Sequence, residues 1–197
     1  MQDYAMPESQ KILRGKRRYE VLDGKIYAMA SASVKHNRVI FNIARIFGNF
    51  LKGKRCQAFV DGVDVKFDDD NTVIPDVMIV CDRDIIKEDG IYGAPDLIVE
   101  VLSPSTAKRD IGRKKELYAE RGVKEYWLVS TAERSIQVYL LKSGAYVLDN
   151  VYQIYKDWYV AKMNEEEKAE IMMEFATSLE GFEDMIIKVE DVFENVE

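Results

Sequence analysis

Apolar and polar residues alternate through residues 18–30, RYEVLDGKIYAMA, on both sides of Asp23-Gly24. Period-two alternation around Asp-Gly predicts a two-stranded hairpin. The period then lengthens. In SASVKHNRVIFNIARIFGNFLKG, the residues Val39, Ile40, Ile43, Ile46, Phe47 and Phe50 recur at helical spacing, and Gly53 suits the end of that helix. CQAFVDGVDVKF and TVIPDVMIV read as strands joined by the polar turn DDDN. The second is apolar on both faces, which predicts a central strand. PDLIVEVL reads the same way. SPST opens a second helix, with Ser103 as its cap, Pro104 at its first position and Gly122 as its stop. EYWLVS is a further buried strand, and SIQVYLL pairs with it across TAER. The order is hairpin, helix, three strands, helix, two strands, which predicts a mixed α/β fold around one central sheet. Beyond it, EEEKAEIMMEFA has helical propensity, MIIKV is a short strand and EDVFENV a helical turn.

At 197 residues, 47% hydrophobic and 32% charged, the chain can bury a sizeable core, and disorder is excluded as its default state. Residues 1–17 read as an N-terminal extension and residues 18–197 as one domain. Cys56 and Cys81 lie in apolar runs and are expected to be reduced core thiols of a cytoplasmic protein. There is no CxxC pair and hence no zinc signal. The acidic, polar start MQDYAMPES is unlike a signal peptide, and no apolar run approaches a membrane span. The net charge of -7 argues against a nucleic-acid partner, but its distribution reverses that argument. Residues 161–197 carry 12 acidic and 3 basic residues, so residues 1–160 are net +2. Basic clusters stand at KILRGKRR, KRC and KRDIGRKK. This permits a nucleic-acid face, and it is equally compatible with ordinary solvated charge.

Two carboxylates interrupt apolar strands: Asp76 in TVIPDVMIV and Glu100 in LIVEVL. Burying a carboxylate is costly unless it is paired, hydrogen-bonded or bound to a cation. The two strands flank one loop, so side-by-side pairing would bring both acids to one point. Oxygen donors of this kind suit Mg²⁺ or Mn²⁺; alternatively, each acid is structural and satisfied by a nearby base or backbone donor. On the second helix, Ala107, Ile111, Leu117 and Tyr118 form an apolar stripe, and Lys114 falls inside it while Lys115 points to its edge. Lys114 is thereby aimed at the sheet, either to orient water or stabilise phosphate charge, or to snorkel along apolar surface. His36, the single histidine, lies on the inward face of the first helix. It serves either as a hydrogen-bonded end of the core or as a proton carrier. Glu20 and Asp64 are further strand acids that could reach the same centre.

These residues carry a family resemblance. YEVLDGKIYAM, HNRVI, VDVKF, IPDVMIV, GAPDLIVEVLSPSTAKRDIGRKKELYAERGVKEYWLV and SIQVYLL together resemble the Uma-two family of "putative restriction endonucleases", in the PD-(D/E)xK nuclease superfamily. The resemblance is close over residues 18–141. It extends weakly through FATSLEGFEDMIIKVEDVF, where it favours a strand over a helix for IMMEFA. It implies a restriction-endonuclease-like central mixed sheet flanked by helices, with the N-terminal hairpin. It further implies a metal-dependent DNA endonuclease, often acting as a homodimer, with Asp76 and Glu100 holding Mg²⁺ or Mn²⁺. Where the usual motif places a lysine two residues after the second acid, this chain has Leu102; Lys114 resembles a relocated catalytic lysine. His36 and Glu20 match positions near the same site. Two other readings stay open: a nucleic-acid-binding or regulatory module without turnover on the same fold, and a self-associating protein whose acids are purely structural.

Overall fold

Two segments that read as continuous strands each break in the middle, and these breaks organise the molecule. This computed structural model describes residues 18–196; the extension over 1–17, with most of the basic run at 11–18, lies outside them. β1 (Tyr19–Leu22) and β2 (Lys25–Ala28) form the expected hairpin. Asp23 and Gly24 have φ of 49° and 72°, the paired left-handed conformation that a two-residue hairpin turn requires. Helix α1 (Val34–Leu51) starts at Ser33, whose hydroxyl accepts from the His36 amide.

The CQAFVDGVDVKF segment divides into β3 (Gln57–Val60) and β4 (Val65–Asp68). The TVIPDVMIV segment divides into β5 (Asn71–Val73) and β6 (Val77–Val80). β3 pairs with β6 and β4 with β5, so one antiparallel ribbon passes from one sheet into another. Pro75 cannot donate to a ladder and Gly62 adopts φ 104°, so both strands break at the same level. The Asp61 amide still donates to the Asp76 carbonyl at 2.9 Å across the break.

The remaining strands are β7 (Ile86–Lys87), β8 (Gly90–Tyr92), β9 (Leu97–Val101), β10 (Glu125–Ser130), β11 (Ser135–Lys142) and β12 (Ala145–Gln153). The central sheet has the order β12-β11-β10-β9-β6-β3 and is mixed, with β9 and β10 parallel. A second six-stranded sheet has the order β2-β1-β5-β4-β8-β7. The mixed α/β class holds, but the single central sheet becomes two. On one face of the central sheet, α1 packs with Val77, Ile79, Leu97, Val99 and Trp127, and C-terminal residues such as Phe182 and Phe193 complete that core. On the other face, Met78, Ile98 and Leu128 meet Leu22, Val65, Val73 and Ile91 of the second sheet, together with Leu117 and Tyr118. The connection from β9 to β10 carries a helix, α2, built in three parts: Ala107–Arg109, a π-helical turn Asp110–Lys114, and Lys115–Glu120. After short helices α3 (Asp157–Val160) and α4 (Glu165–Ala169), β13 (Glu174–Ala176) pairs with β14 (Ile186–Lys188) ahead of α5 (Val189–Val192). EEEKA is thus helical and EFA a strand. No helix among the described residues is long and apolar enough to cross a membrane.

The cysteine expectation is corrected. Cys56 precedes β3 and Cys81 follows β6, and the register Gln57↔Val80 sets them opposite each other, where they form a disulfide. Spacing of 25 residues in sequence does not reveal cross-strand opposition, which depends on register.

Glu125, at the start of β10, is a buried acid that the sequence pattern did not mark. It accepts from the Trp127 indole at 2.6 Å and from the Ser178 amide at 2.7 Å, tying the C-terminal segment to the sheet. Burial pushes its carboxyl up from 4.5 to about 7. Between those values the folded chain binds a proton that the unfolded chain releases, so stability falls as pH rises through the window, by about 3 kcal/mol in total. Urea midpoints measured from pH 4.5 to 7 should show this loss, and Glu125→Gln should flatten the curve by that amount. An unchanged slope in the variant would refute the assignment.

Candidate active site

The site is assembled where the sheets part. β6 and β9 run antiparallel with Val77 opposite Val99, so one step further Asp76 and Glu100 come side by side. Strand alternation puts both on the face that carries Met78 and Ile98. Asp76 Oδ2 accepts from the Val101 amide at 2.7 Å, and Oδ1 lies 3.2 Å from His36 Nε2. His36 reaches it from the first turn of α1, fixed by the Ser33 cap. Glu100 Oε1 accepts from the Tyr118 hydroxyl at 2.7 Å and lies 2.6 Å from Lys114 Nζ. Lys114 also donates to Glu20 Oε1 at 2.8 Å, and Glu20 Oε1 accepts from the Ile74 amide just ahead of the strand break. A cavity of about 260 Å³ is lined by Glu20, His36, Asp76, Glu100, Leu102 and Lys114, with the Arg18–Asp61 ion pair also on its wall.

Lys114 faces this cluster on the side of Leu117 and Tyr118, three and four residues later, and the irregularity of α2 lies just before it. Gly112 leaves helical geometry, with φ -102° and ψ -108°. Asp110 and Lys114 are buried, and the wide turn displaces Ile111, an expected member of the apolar stripe, which is 55% exposed. The helix also begins later than its SPST signal: Ser103 Oγ bonds the Ser105 and Thr106 hydroxyls in a turn before Ala107. Lys115 lies half-buried, its Nζ 3.4 Å from the centre of the Tyr139 ring.

Electrostatics follow from the count of charges. Three buried acids (Glu20, Glu100 and Asp110) surround one ammonium, and a fourth, Asp76, lies beside Glu100. Burial alone would lower the Lys114 pKa, but Glu100, Glu20 and Asp110 outweigh it and hold the ammonium well above its ordinary value. Burial raises Glu100 well above the carboxylate range; Lys114 opposes that shift, while Asp110, Asp76 and Glu20 add to it. Burial likewise raises Asp110, whose Oδ1 has no hydrogen-bond partner and lies 3.6 Å from Lys114 Nζ. Burial leads both carboxyl shifts, and a single lysine only partly offsets it. Burial opposes protonation of His36, but its bond to Asp76 prevails and the pKa is raised.

The family model described as "Putative restriction endonuclease" (Uma2) matches residues 4–162. The chain belongs to the Uma-two family. It is 36% identical over 130 residues to "Uncharacterized protein slr1290" of Synechocystis sp., covering 64% of this chain and 67% of that protein. It is 29% identical over 102 residues to "Uncharacterized protein sll1609" of the same organism, covering 50% of this chain and 58% of that one. The fold is similar to the crystal structure of a "putative nuclease belonging to DUF820" from Anabaena variabilis ATCC 29413, with a TM-score of 0.69 and 18% identity. That match covers 95% of this chain and 98% of the other.

In this Uma-two protein the five sequence-selected residues, Asp76, Glu100, Lys114, Glu20 and His36, come together around one cavity. Asp64 does not join them: its carbonyl accepts from the Ile91 amide in the second sheet. Asp110 and Tyr118 join the cluster unforeseen. Their spacing of four residues on either side of Lys114 was the available signal. The donor chemistry fits a hard divalent cation. Asp76 and Glu100 supply carboxylate oxygens, and the excess of buried acid favours added positive charge. Among the described residues no three His, Cys, Asp or Glu side chains form a ready ligand group. Such an ion would therefore take its other ligands from water and substrate, as Mg²⁺ commonly does.

Proposed function

We propose that this protein is an endonuclease that hydrolyses DNA phosphodiester bonds, with Mg²⁺ or Mn²⁺ held by Asp76 and Glu100. The observation that carries the reading is the placement of Lys114: although Leu102 replaces the usual lysine, Lys114 Nζ lies 2.6 Å from Glu100. A bound divalent ion would polarise the scissile phosphate and lower the pKa of an attacking water. The chain's own groups would do the rest. Lys114, held charged by its acidic neighbours, supplies positive charge for the phosphoryl oxygens or orients the water. Glu20 and Tyr118 position it, Glu20 by accepting from Nζ and Tyr118 by donating to the same Glu100 oxygen. His36, bonded to Asp76 at the cavity wall, is placed to move a proton. The homodimer implied by the family resemblance belongs to the same proposal and is read by sedimentation.

Supercoiled plasmid incubated with Mg²⁺ or Mn²⁺ should be nicked by the wild type. Glu100→Gln and Asp76→Asn should abolish nicking, and chelation of the metal should do the same. Equal residual cleavage by all three proteins would exclude the assignment. DNA binding without any metal-dependent turnover in the wild type would favour the non-catalytic module instead.

A further inference from the structure

A second, larger cavity, of about 1020 Å³, lies beside the first along the chain: Thr131 lines the acidic cavity and Ala132 lines this groove. Its wall is aromatic. Tyr155 and Tyr159 stack with centroids 5.6 Å apart, and Trp158 meets Tyr159 edge-on at 5.7 Å. Trp158 is 59% exposed and Tyr159 46% exposed, so each ring keeps ample solvent-accessible surface although Tyr155 covers one face of Tyr159. Cations border these rings: Arg134 and Lys156 line the groove, and Lys162 Nζ stands 5.2 Å from the centre of the Trp158 ring. The floor is held by two bonds between the hairpin tip and the strand end, from the Ile154 amide to the Arg134 carbonyl and from Gln153 Nε2 to the Glu133 carbonyl.

We propose that this groove binds an unpaired nucleic-acid strand by base stacking on Trp158 and Tyr159, and leads it to the Asp76–Glu100 cavity. The inference rests on the nuclease reading of that cavity and narrows its substrate to DNA with a single-stranded segment. Charge and ring exposure together favour an unpaired strand. Glu133 and Asp157 also line the groove and cancel the charges of Arg134 and Lys156, so phosphate attraction alone would be weak. Exposed ring faces add an attraction available only to bases outside a duplex stack, because paired bases hide their faces. Cations beside the rings then meet the backbone of the stacked strand.

The test uses the full chain in EDTA, so that no turnover is required. A labelled oligo(dT) strand of about twenty nucleotides and a duplex of matched length are titrated by fluorescence anisotropy. The single strand should bind more tightly. Trp158→Ala combined with Tyr159→Ala should weaken its binding by about tenfold or more, and should change duplex binding by less than about twofold. Trp158→Phe should keep the affinity but lose the tryptophan quenching seen in the wild type, because Trp127, the other tryptophan, is fully buried. Unchanged single-strand affinity in the double variant, or equal affinity for the duplex, would overturn the proposal. So would self-association of the wild type that the double variant abolishes, since that would assign the face to a protein partner. A chain that binds strands here yet never nicks DNA would overturn the nuclease reading and leave the platform standing.

Discussion

Lys114→Met is expected to lower folding stability by about 3–5 kcal/mol at neutral pH and to reduce plasmid nicking by about 100-fold or more. The stability loss arises because Glu20, Glu100 and Asp110 keep their burial and lose the ammonium that pairs with them. Acid should offset part of it. Burial holds Glu100 and Asp110 above their ordinary values, and removing Lys114 takes away the charge that opposes those shifts. Both carboxyls then bind protons in the folded variant at a pH where the unfolded chain has released them, so the variant loses stability as pH rises. Urea denaturation at acid and neutral pH should show the larger deficit at neutral pH. Adding Glu20→Gln to Lys114→Met removes one unpaired charge and should recover stability without recovering nicking. Recovery of both would mean that Lys114 acts only through the fold.

Binding of Mn²⁺ is expected to tighten as pH rises and to release a proton. Burial raises the Glu100 pKa well above the ordinary value, so the metal-free folded chain holds a proton there to higher pH than a free carboxylate does. A metal ion needs the ionised carboxylate and must displace that proton. Below the folded-state pKa of Glu100, affinity should rise about tenfold per pH unit, and it should level off above it. Calorimetric titration in two buffers of different ionisation enthalpy reads the proton directly. Glu100→Gln should bind Mn²⁺ weakly and without that slope. A pH-independent affinity in the wild type would remove Glu100 from the metal-binding set.

The site was largely legible because charge is conspicuous in an apolar period. Asp76, Glu100 and Lys114 each occupy a position where the surrounding pattern calls for an aliphatic residue, and Glu20 and His36 share faces with core residues. Asp110 escaped notice because a lone acid at the edge of a stripe reads as solvated, although its spacing of four before Lys114 and seven before Leu117 puts it on the same side of an ideal helix. Strand β12 was missed because it is an edge strand in which Val147, Leu148 and Val151 are exposed, so its apolar residues do not mark a buried face. The disulfide was missed because each cysteine, taken alone, reads as an ordinary small core residue.

By itself the sequence determined the class of the fold, the hairpin turn, the first helix and the identity of five residues around the cavity. These are local properties: side-chain period, turn conformation and the cost of placing charge in apolar surroundings. Only the tertiary structure decided that β6 and β9 align Asp76 beside Glu100, that the ribbon crosses between two sheets, that Cys56 meets Cys81, and that a widened turn before Lys114 turns Ile111 out to solvent. Each of these depends on strand register between distant segments or on a backbone irregularity, and neither is encoded in the period of a single segment.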